Sequence, residues 1–232
     1  MNRHLKRMSA PRTWPIKRKE SVWITRQNPG PHTMKTSIPL NVIFKDILGY
    51  TKTTRETKKV LQQGNVFVNN QVRKDVRFPV GPLDVLSLPT GENFRLLYNK
   101  LGKFVLVPIT KEESKKIIYK IKNKNLLKGK KVQLNFENGS NMIVDKDIYS
   151  TGDSIILEEG KIKEHIKFDD SMIAYVTGGK HINSVGHLKK TDKGYEIKTK
   201  KGLFKVQKEH VFVIGKDKPL FKIKENESDE GN

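Results

Sequence analysis

Residues 53–77 constrain the fold most, because their sequence, TTRETKKVLQQGNVFVNNQVRKDVR, predicts a helix followed directly by a hairpin. Thr53 with Glu56 has the spacing of a capping box, which predicts that a helix begins at Thr53. Gly64 is a natural end for this helix, since glycine readily adopts the left-handed conformation that closes many helices. Asn69-Asn70 tolerates the positive φ of a tight turn between two short strands.

Both predicted elements display positive charge on one side. The helix has an uncharged face, formed by Thr57, Val60 and Leu61, that can pack on a core. Its other face, at helical spacing, carries Arg55, Lys58, Lys59 and Gln62. The return strand of the hairpin adds Arg73, Lys74 and Arg77. This separation predicts a basic surface that binds a polyanion, and a solvated charged helix is the alternative interpretation.

The excess of cations extends over the whole chain. Its 232 residues include 46 Lys and Arg against 25 Asp and Glu, which gives a net charge of +21. RNA, DNA and anionic membrane are the partners that such a charge attracts. No apolar run reaches the ~18 residues of a bilayer span and no signal peptide is evident, so a membrane partner is not expected. The absence of cysteine excludes disulfides, thiolate-bound zinc and thiol catalysis, and it favours a cytoplasmic location.

Residues 1–40 are predicted to form an extended basic arm. Prolines interrupt this segment and prevent long helices, and Glu20 is its only acidic residue. Both tryptophans, Trp14 and Trp23, lie in the arm, where they would either anchor it on the first domain or stack on bases. Its cations include Arg3, Lys6, Arg7, Arg12, Lys17 and Arg18.

The rest of the chain predicts an α+β protein made of small units. Residues 41–105 combine two amphipathic helices with several strands in a compact α+β domain. Residues 106–171 begin with a connecting segment, whose Lys-rich stretch 115–128 is interpreted as a helix, and continue as a small β-barrel with a hairpin turn at Asn138-Gly139. Residues 172–224 predict a third β unit, and residues 225–232 predict an acidic, disordered tail.

The sequence contains no convincing catalytic or metal-binding motif. Gly179-Lys180 resembles the end of a phosphate-binding loop. That loop requires a glycine where this chain has Ala174, and a serine or threonine where it has His181. His181 and His187 have no neighbouring carboxylate to complete a metal site, and Asp169-Asp170 is interpreted as a turn. We therefore expect no enzyme activity, no cofactor and no small-molecule substrate.

Several sequence blocks resemble a known family. Residues 41–105 resemble the small RNA-binding domain that bacterial ribosomal protein four shares with pseudouridine synthases and tyrosyl-tRNA synthetases. Across residues 4–222, the order of the blocks resembles the small-subunit ribosomal protein four family of the eukaryotic and archaeal type, and the lack of a long C-terminal extension is typical of its archaeal members. The blocks are HLKRMSAP (4–11) with Trp14, GPH (30–32), GENFRL (91–96), FD (168–169), TGG (177–179) and VFVIGK (211–216).

The resemblance implies a central β-barrel and a final KOW domain, a small β domain that here would cover residues 172–224. The family loop after the two glycines carries an Asn and later a Gly-Arg pair, whereas this chain has His181 and Asn183-Ser184. The missing arginine implies a weaker RNA grip in this loop.

The resemblance also implies a structural protein of the small ribosomal subunit that binds ribosomal RNA, supports translation and touches neighbouring ribosomal proteins. The RNA contacts would come from the arm cations and the basic helix and hairpin, namely Arg3, Lys6, Arg7, Arg12, Lys17, Arg18, Arg55, Lys58, Lys59, Arg73, Lys74 and Arg77. Two alternatives remain, a free RNA chaperone or transcription factor and an RNA-modifying enzyme that uses the same small domain.

Overall fold

The computed structural model describes residues 4–129, 131–158, 160–191, 194–199, 202–216 and 219–221. Strands dominate, and the few helices lie in the N-terminal half, so the α+β class is confirmed. The main sheets are three five-stranded antiparallel sheets, one for each successive unit of the chain. Among the described residues, no helix is both long enough and apolar enough to cross a membrane.

The N-terminal residues fold back on the first unit. Strand β1 (Leu5–Lys6) pairs with β2 (Trp23–Ile24), and short 3₁₀ turns occupy Arg7–Ser9 and Met34–Thr36. Trp14 is 1% exposed, and its Nε1 donates a hydrogen bond to the Ser37 carbonyl at 2.8 Å. Residues 4–40 therefore do not form the extended arm that the prolines predicted, because this buried tryptophan fixes them to the core.

The first unit contains both predicted helices. Helix α1 (Leu40–Val42) continues as one π turn (Ile43–Ile47), and α2 (Thr54–Gln62) follows. The first sheet has the order β5-β4-β7-β8-β9, and β3 pairs with β6 beside it. The strands are β3 (Ile38–Pro39), β4 (Phe67–Val68), β5 (Gln71–Val72), β6 (Pro79–Val80), β7 (Val85–Ser87), β8 (Asn93–Tyr98) and β9 (Phe104–Ile109). Because β9 runs to Ile109, the predicted boundary at residue 105 falls inside a strand.

The second unit corrects the predicted connecting helix. Helix α3 ends after one turn (Lys111–Lys115), and the chain continues as the long strand β10 (Lys116–Leu126). Pairing decides this outcome, because β10 forms antiparallel ladders with both β11 and β13 and buries Ile117, Ile118 and Ile121. The sheet order is β12-β11-β10-β13-β14. Its other strands are β11 (Val132–Phe136), β12 (Asn141–Val144), β13 (Ser154–Glu158) and β14 (Lys161–Ile166).

The third unit is the β structure that the sequence predicts after Met172. Its sheet has the order β18-β17-β16-β15-β19, and a 3₁₀ turn (Lys208–His210) precedes the last strand. The strands are β15 (Ile173–Val176), β16 (Val185–Thr191), β17 (Gly194–Thr199), β18 (Gly202–Val206) and β19 (Val211–Gly215). The predicted acidic tail, residues 225–232, lies outside the described residues.

Each unit has buried apolar residues of its own, and one further apolar cluster joins the three units. Leu97 of β8, Ile156 of β13 and Tyr175 of β15 belong to the same buried cluster, together with residues of β19. Hydrogen bonds cross the boundaries between units as well. The Tyr98 amide donates to the Tyr175 hydroxyl at 3.1 Å, and the Lys120 ammonium donates to the Glu209 carbonyl at 2.8 Å. The units therefore pack as one body.

Candidate nucleic-acid interface

Helix α2 begins at the predicted capping box. Thr53 Oγ1 accepts a hydrogen bond from the Glu56 amide at 3.3 Å, and the Glu56 carboxylate accepts from the amides of Lys52 at 2.8 Å and Thr53 at 3.4 Å. The bond from the Lys52 amide, followed by that from the Thr53 hydroxyl, lowers the pKa of Glu56. The only acid of this helix is thus held at its N-terminus, away from the cations further along.

The two faces of α2 separate as the sequence predicts. Thr57 and Leu61 are buried, and the Thr57 hydroxyl lies 2.7 Å from the Thr51 hydroxyl. On the opposite face Arg55, Lys58 and Lys59 are exposed. None of these three cations forms a salt bridge within the part of the chain that the structure describes. Their charges are therefore directed to solvent or to a partner.

The hairpin lies against the end of this helix. The turn residues Asn69 and Asn70 have φ of 51° and 60°, as their sequence predicts. A Cβ atom added to Gly64 would lie 3.6 Å from Lys74 Cε, so the exposed Lys74 side chain passes over the helix C-terminus. We call Arg55, Lys58, Lys59 and Lys74 together the helix–hairpin surface.

Arg73 and Arg77 are half-buried at the edge of the hairpin. The Arg73 guanidinium lies over the Phe78 ring, with Cζ 4.4 Å from the centroid, and it donates to the Gln71 side-chain oxygen. Arg73 Nε has no hydrogen-bond partner among the described residues. The backbone of Arg77 is held from both sides, since its carbonyl accepts from the Asn28 amide at 3.0 Å and its amide donates to Asp75 at 2.9 Å.

A buried carboxylate supports the turn of the hairpin. Asp84 accepts hydrogen bonds from the Asn69 side chain at 2.7 Å and from the Gly81 amide at 2.8 Å, and its Oδ2 lies 3.0 Å from His32 Nε2. Burial alone would lower the pKa of His32, but Asp84, with a smaller contribution from Glu137, raises it above the ordinary value. This network connects the N-terminal segment to the base of the hairpin.

The predicted N-terminal contacts divide into two groups. Lys6, Arg12 and Lys17 are exposed, and Arg3 lies outside the described residues. The prediction of a surface contact at Arg7 is corrected, because this residue is only 3% exposed and its guanidinium lies in a buried ion pair. Arg7 Nη2 donates to Asp46 at 2.5 Å and to Glu20 at 3.3 Å.

Arg18 is half-buried and also serves the fold. Its guanidinium donates to the carbonyls of Met8 at 3.1 Å, Ala10 at 2.8 Å and Pro11 at 2.9 Å, so it holds this turn together. Sequence reasoning missed the roles of Arg7 and Arg18, because nothing local in the sequence separates a structural arginine from an exposed one. The two tryptophans also differ, since Trp14 is buried whereas Trp23 is 57% exposed.

The histidines of the third unit contact the fold itself. The His181 ring stacks on Phe204 with centroids 3.9 Å apart, and His187 Nδ1 lies 2.9 Å from the Ser171 carbonyl. Ile182, in the loop after the paired glycines, packs against the core of the first unit. Within the described residues, no group of three or more His, Asp or Glu side chains could hold a metal ion.

Comparisons with known proteins agree with this architecture. Family models match residues 1–35 (RS4NT (NUC023) domain), 46–86 (S4 domain) and 90–162 (Ribosomal family S4e). The S4 domain match covers α2 and the hairpin. The crystal structure of the 30S ribosomal protein S4e from Thermoplasma acidophilum is 30% identical and superposes with a TM-score of 0.68, over 80% of this chain and 99% of that one.

Archaeal relatives match almost the whole chain. Small ribosomal subunit protein eS4 of Methanosphaera stadtmanae is 42% identical over 95% of both chains. The eS4 of Methanocella arvoryzae is also 42% identical, over 93% of this chain and 95% of the relative. The eS4 of Aeropyrum pernix is 39% identical over 96% of both. At this identity and coverage, the chain belongs to the ribosomal S4e family.

Proposed function

We propose that this chain is a structural constituent of the small ribosomal subunit, where it binds ribosomal RNA through basic surfaces and supports translation in the cytoplasm. The relatives that match almost the whole chain are named small ribosomal subunit proteins. The observation that carries the proposal for this chain is the helix–hairpin surface, which lies within the S4 domain match and has its cations directed outward.

The RNA contacts would be the exposed or half-exposed cations. They are Lys6, Arg12, Lys17, Arg55, Lys58, Lys59, Arg73, Lys74 and Arg77, and Arg3 joins them on its sequence position. Arg7 and Arg18 are left out, because ion pairs hold the Arg7 guanidinium and three backbone carbonyls hold that of Arg18. Helical RNA hides its base edges in a deep groove, so we expect these side chains to bind phosphates and the shape of the backbone.

The later units would complete the role. We propose that residues 106–171 act as the central barrel and residues 172–224 as a KOW domain. The five-stranded sheet β18-β17-β16-β15-β19 and the paired glycines before β16 support the second assignment. The loop of His181 and Ile182 packs on protein, which agrees with a weak RNA grip there. Neighbouring ribosomal proteins would cover part of the remaining surface, and the role would be structural rather than enzymatic.

Binding to small-subunit ribosomal RNA across a range of salt tests the proposal. Each phosphate contact adds about 0.7 to 0.9 to the log–log salt slope, so replacing Arg55, Lys58 and Lys59 with alanine should lower the slope by about 2 to 2.7. The matched control replaces Lys116, Lys122 and Lys161, which are exposed on the second unit, with the same loss of charge. If both triple variants lower the salt slope equally, the effect follows net charge alone and a localised interface is rejected.

A further inference from the structure

The two tryptophans occupy opposite environments although they lie in one segment. Trp14 is 1% exposed and donates a hydrogen bond, whereas Trp23 on β2 is 57% exposed. Val22, the preceding residue, and Met8, two positions after the strand partner Lys6, are exposed as well. The His4 ring tilts against Trp23 with centroids 5.6 Å apart, which leaves more than half of the residue open. Exposed apolar side chains grouped in this way are typical of a binding surface.

Strands β1 and β2 form a two-stranded ribbon that carries Trp23, and this ribbon is fixed to the rest of the fold. Lys6 of β1 lies opposite Trp23 in the antiparallel register, and the Arg7 amide donates to the Val22 carbonyl at 2.9 Å. The Arg7 guanidinium in turn joins the ribbon to Asp46 at the end of the π turn. An aromatic side chain on such a fixed backbone can bind a ligand with little loss of conformational entropy.

The charges around Trp23 select the chemistry of the partner. Lys6 of β1 and Lys19, in the chain between β1 and β2, are exposed, and Glu20 is the only acid among residues 1–40. Glu20 is itself paired with Arg7. An exposed indole with cations beside it fits a nucleotide, because the ring can stack on a base while ammonium groups bind its phosphates. An apolar protein segment would leave these cations without counter-charges.

We propose that Trp23 is a stacking platform for an unpaired base of the bound RNA, with Lys6 on a neighbouring phosphate. This inference rests on the proposed function and deepens it, since the helix–hairpin surface would bind helical RNA whereas Trp23 would bind a splayed or single-stranded nucleotide. Paired bases inside a helix do not offer a free face for stacking. The ribbon therefore adds a local requirement for unpaired nucleotides to a contact that otherwise follows the backbone.

Intrinsic fluorescence tests the platform directly in the full chain, because its two tryptophans differ so strongly in exposure. Oligouridine is titrated into the native chain and into Trp23→Phe, and the difference between the two isolates the Trp23 signal. We expect strong quenching of this signal by single-stranded oligouridine and much weaker quenching by an RNA duplex of equal charge. Equal quenching by both RNAs, or none by either, would overturn the proposal.

Affinity provides the second measurement. Trp23→Ala should weaken oligouridine binding by roughly 5- to 150-fold, the range typical of one base stacked on an aromatic side chain, and Trp23→Phe should recover most of the loss. Val22→Ala is the control, since it removes exposed apolar surface from the residue next to Trp23 without removing an aromatic ring. Equal affinities for Trp23→Ala and Val22→Ala would reject the platform.

The two proposals fail in different ways. If Trp23→Ala binds oligouridine normally and the native chain still binds small-subunit ribosomal RNA, the platform is rejected and the proposed function stands. If the native chain does not bind that RNA at modest salt, the proposed function is rejected. Quenching of the Trp23 signal by RNA-free ribosomal proteins, with none by oligouridine, would assign this surface to a protein partner and reject the platform.

Discussion

The buried ion pair between Arg7 and Asp46 should contribute much of what holds the N-terminal ribbon in place. The two side chains are 3% and 9% exposed, and Arg7 Nη2 lies 2.5 Å from Asp46 Oδ1. Glu20 binds the same nitrogen at 3.3 Å but is 59% exposed. Two single variants can therefore be compared at one arginine: Asp46→Asn removes a buried carboxylate charge, and Glu20→Gln removes an exposed one.

The expected costs differ severalfold. Removing one partner of a buried ion pair costs about 3 to 5 kcal/mol, because the remaining charge stays desolvated. Arg7 Nε also donates to the Lys17 carbonyl at 2.5 Å, so we expect the lower end, about 3 kcal/mol, for Asp46→Asn. An exposed ion pair contributes only about 0 to 1 kcal/mol, which is the expectation for Glu20→Gln.

Urea unfolding followed by circular dichroism measures both free energies. A double variant, Arg7→Met with Asp46→Leu, separates the pair from its surroundings, because apolar residues of similar volume often replace a buried pair without loss. It should be clearly more stable than Asp46→Asn alone. If Asp46→Asn and Glu20→Gln lower the free energy of unfolding equally, the burial of Asp46 does not determine the strength of this contact.

Two further predictions concern the Asp84 network. A Cβ atom at Gly81 would lie 2.4 Å from the His32 ring, so Gly81→Ala should lower the free energy of unfolding by about 1 to 3 kcal/mol in urea titrations; an unchanged midpoint would contradict this packing. Because the pKa of His32 is raised in the fold, its contribution to stability is complete below its ordinary pKa and is lost as pH rises through the raised value. Urea midpoints measured across this window should fall more steeply for the native chain than for His32→Asn, and parallel profiles would contradict the assignment.

The features that the sequence predicts correctly are local ones. The capping box at Thr53, the end of the helix near Gly64 and the turn at Asn69-Asn70 each depend on a few adjacent residues. For this reason α2 and the hairpin, with their exposed lysines, are predictable from the amino-acid sequence alone. The order of the sequence blocks also indicates the family, since each block has a fixed place along the chain.

The features that it missed depend on residues far apart in sequence. Arg7 and Asp46 are 39 positions apart, so nothing near Arg7 distinguishes it from the exposed Lys6. Residues 116–126 contain many lysines and directly follow helix α3, which favours a helix. Their β-branched residues find ladder partners on both β11 and β13, and this pairing outweighs local propensity.

The contacts between units determine how the basic surfaces act together. The Tyr175 hydroxyl is buried, and burial raises its pKa to about 12 while it accepts the hydrogen bond of the Tyr98 amide. Burial also lowers the pKa of Lys120, whose ammonium donates to the carbonyls of Lys208 and Glu209. Separating the units would exchange these hydrogen bonds for bonds to water and would expose the apolar cluster that the units share, and the loss of buried apolar area makes separation costly. The units should therefore move together, and the ribbon with Trp23 and the helix–hairpin surface should meet the RNA in one fixed arrangement. For a folded surface of this kind, affinity should depend on charge and stacking more than on ordering of the chain.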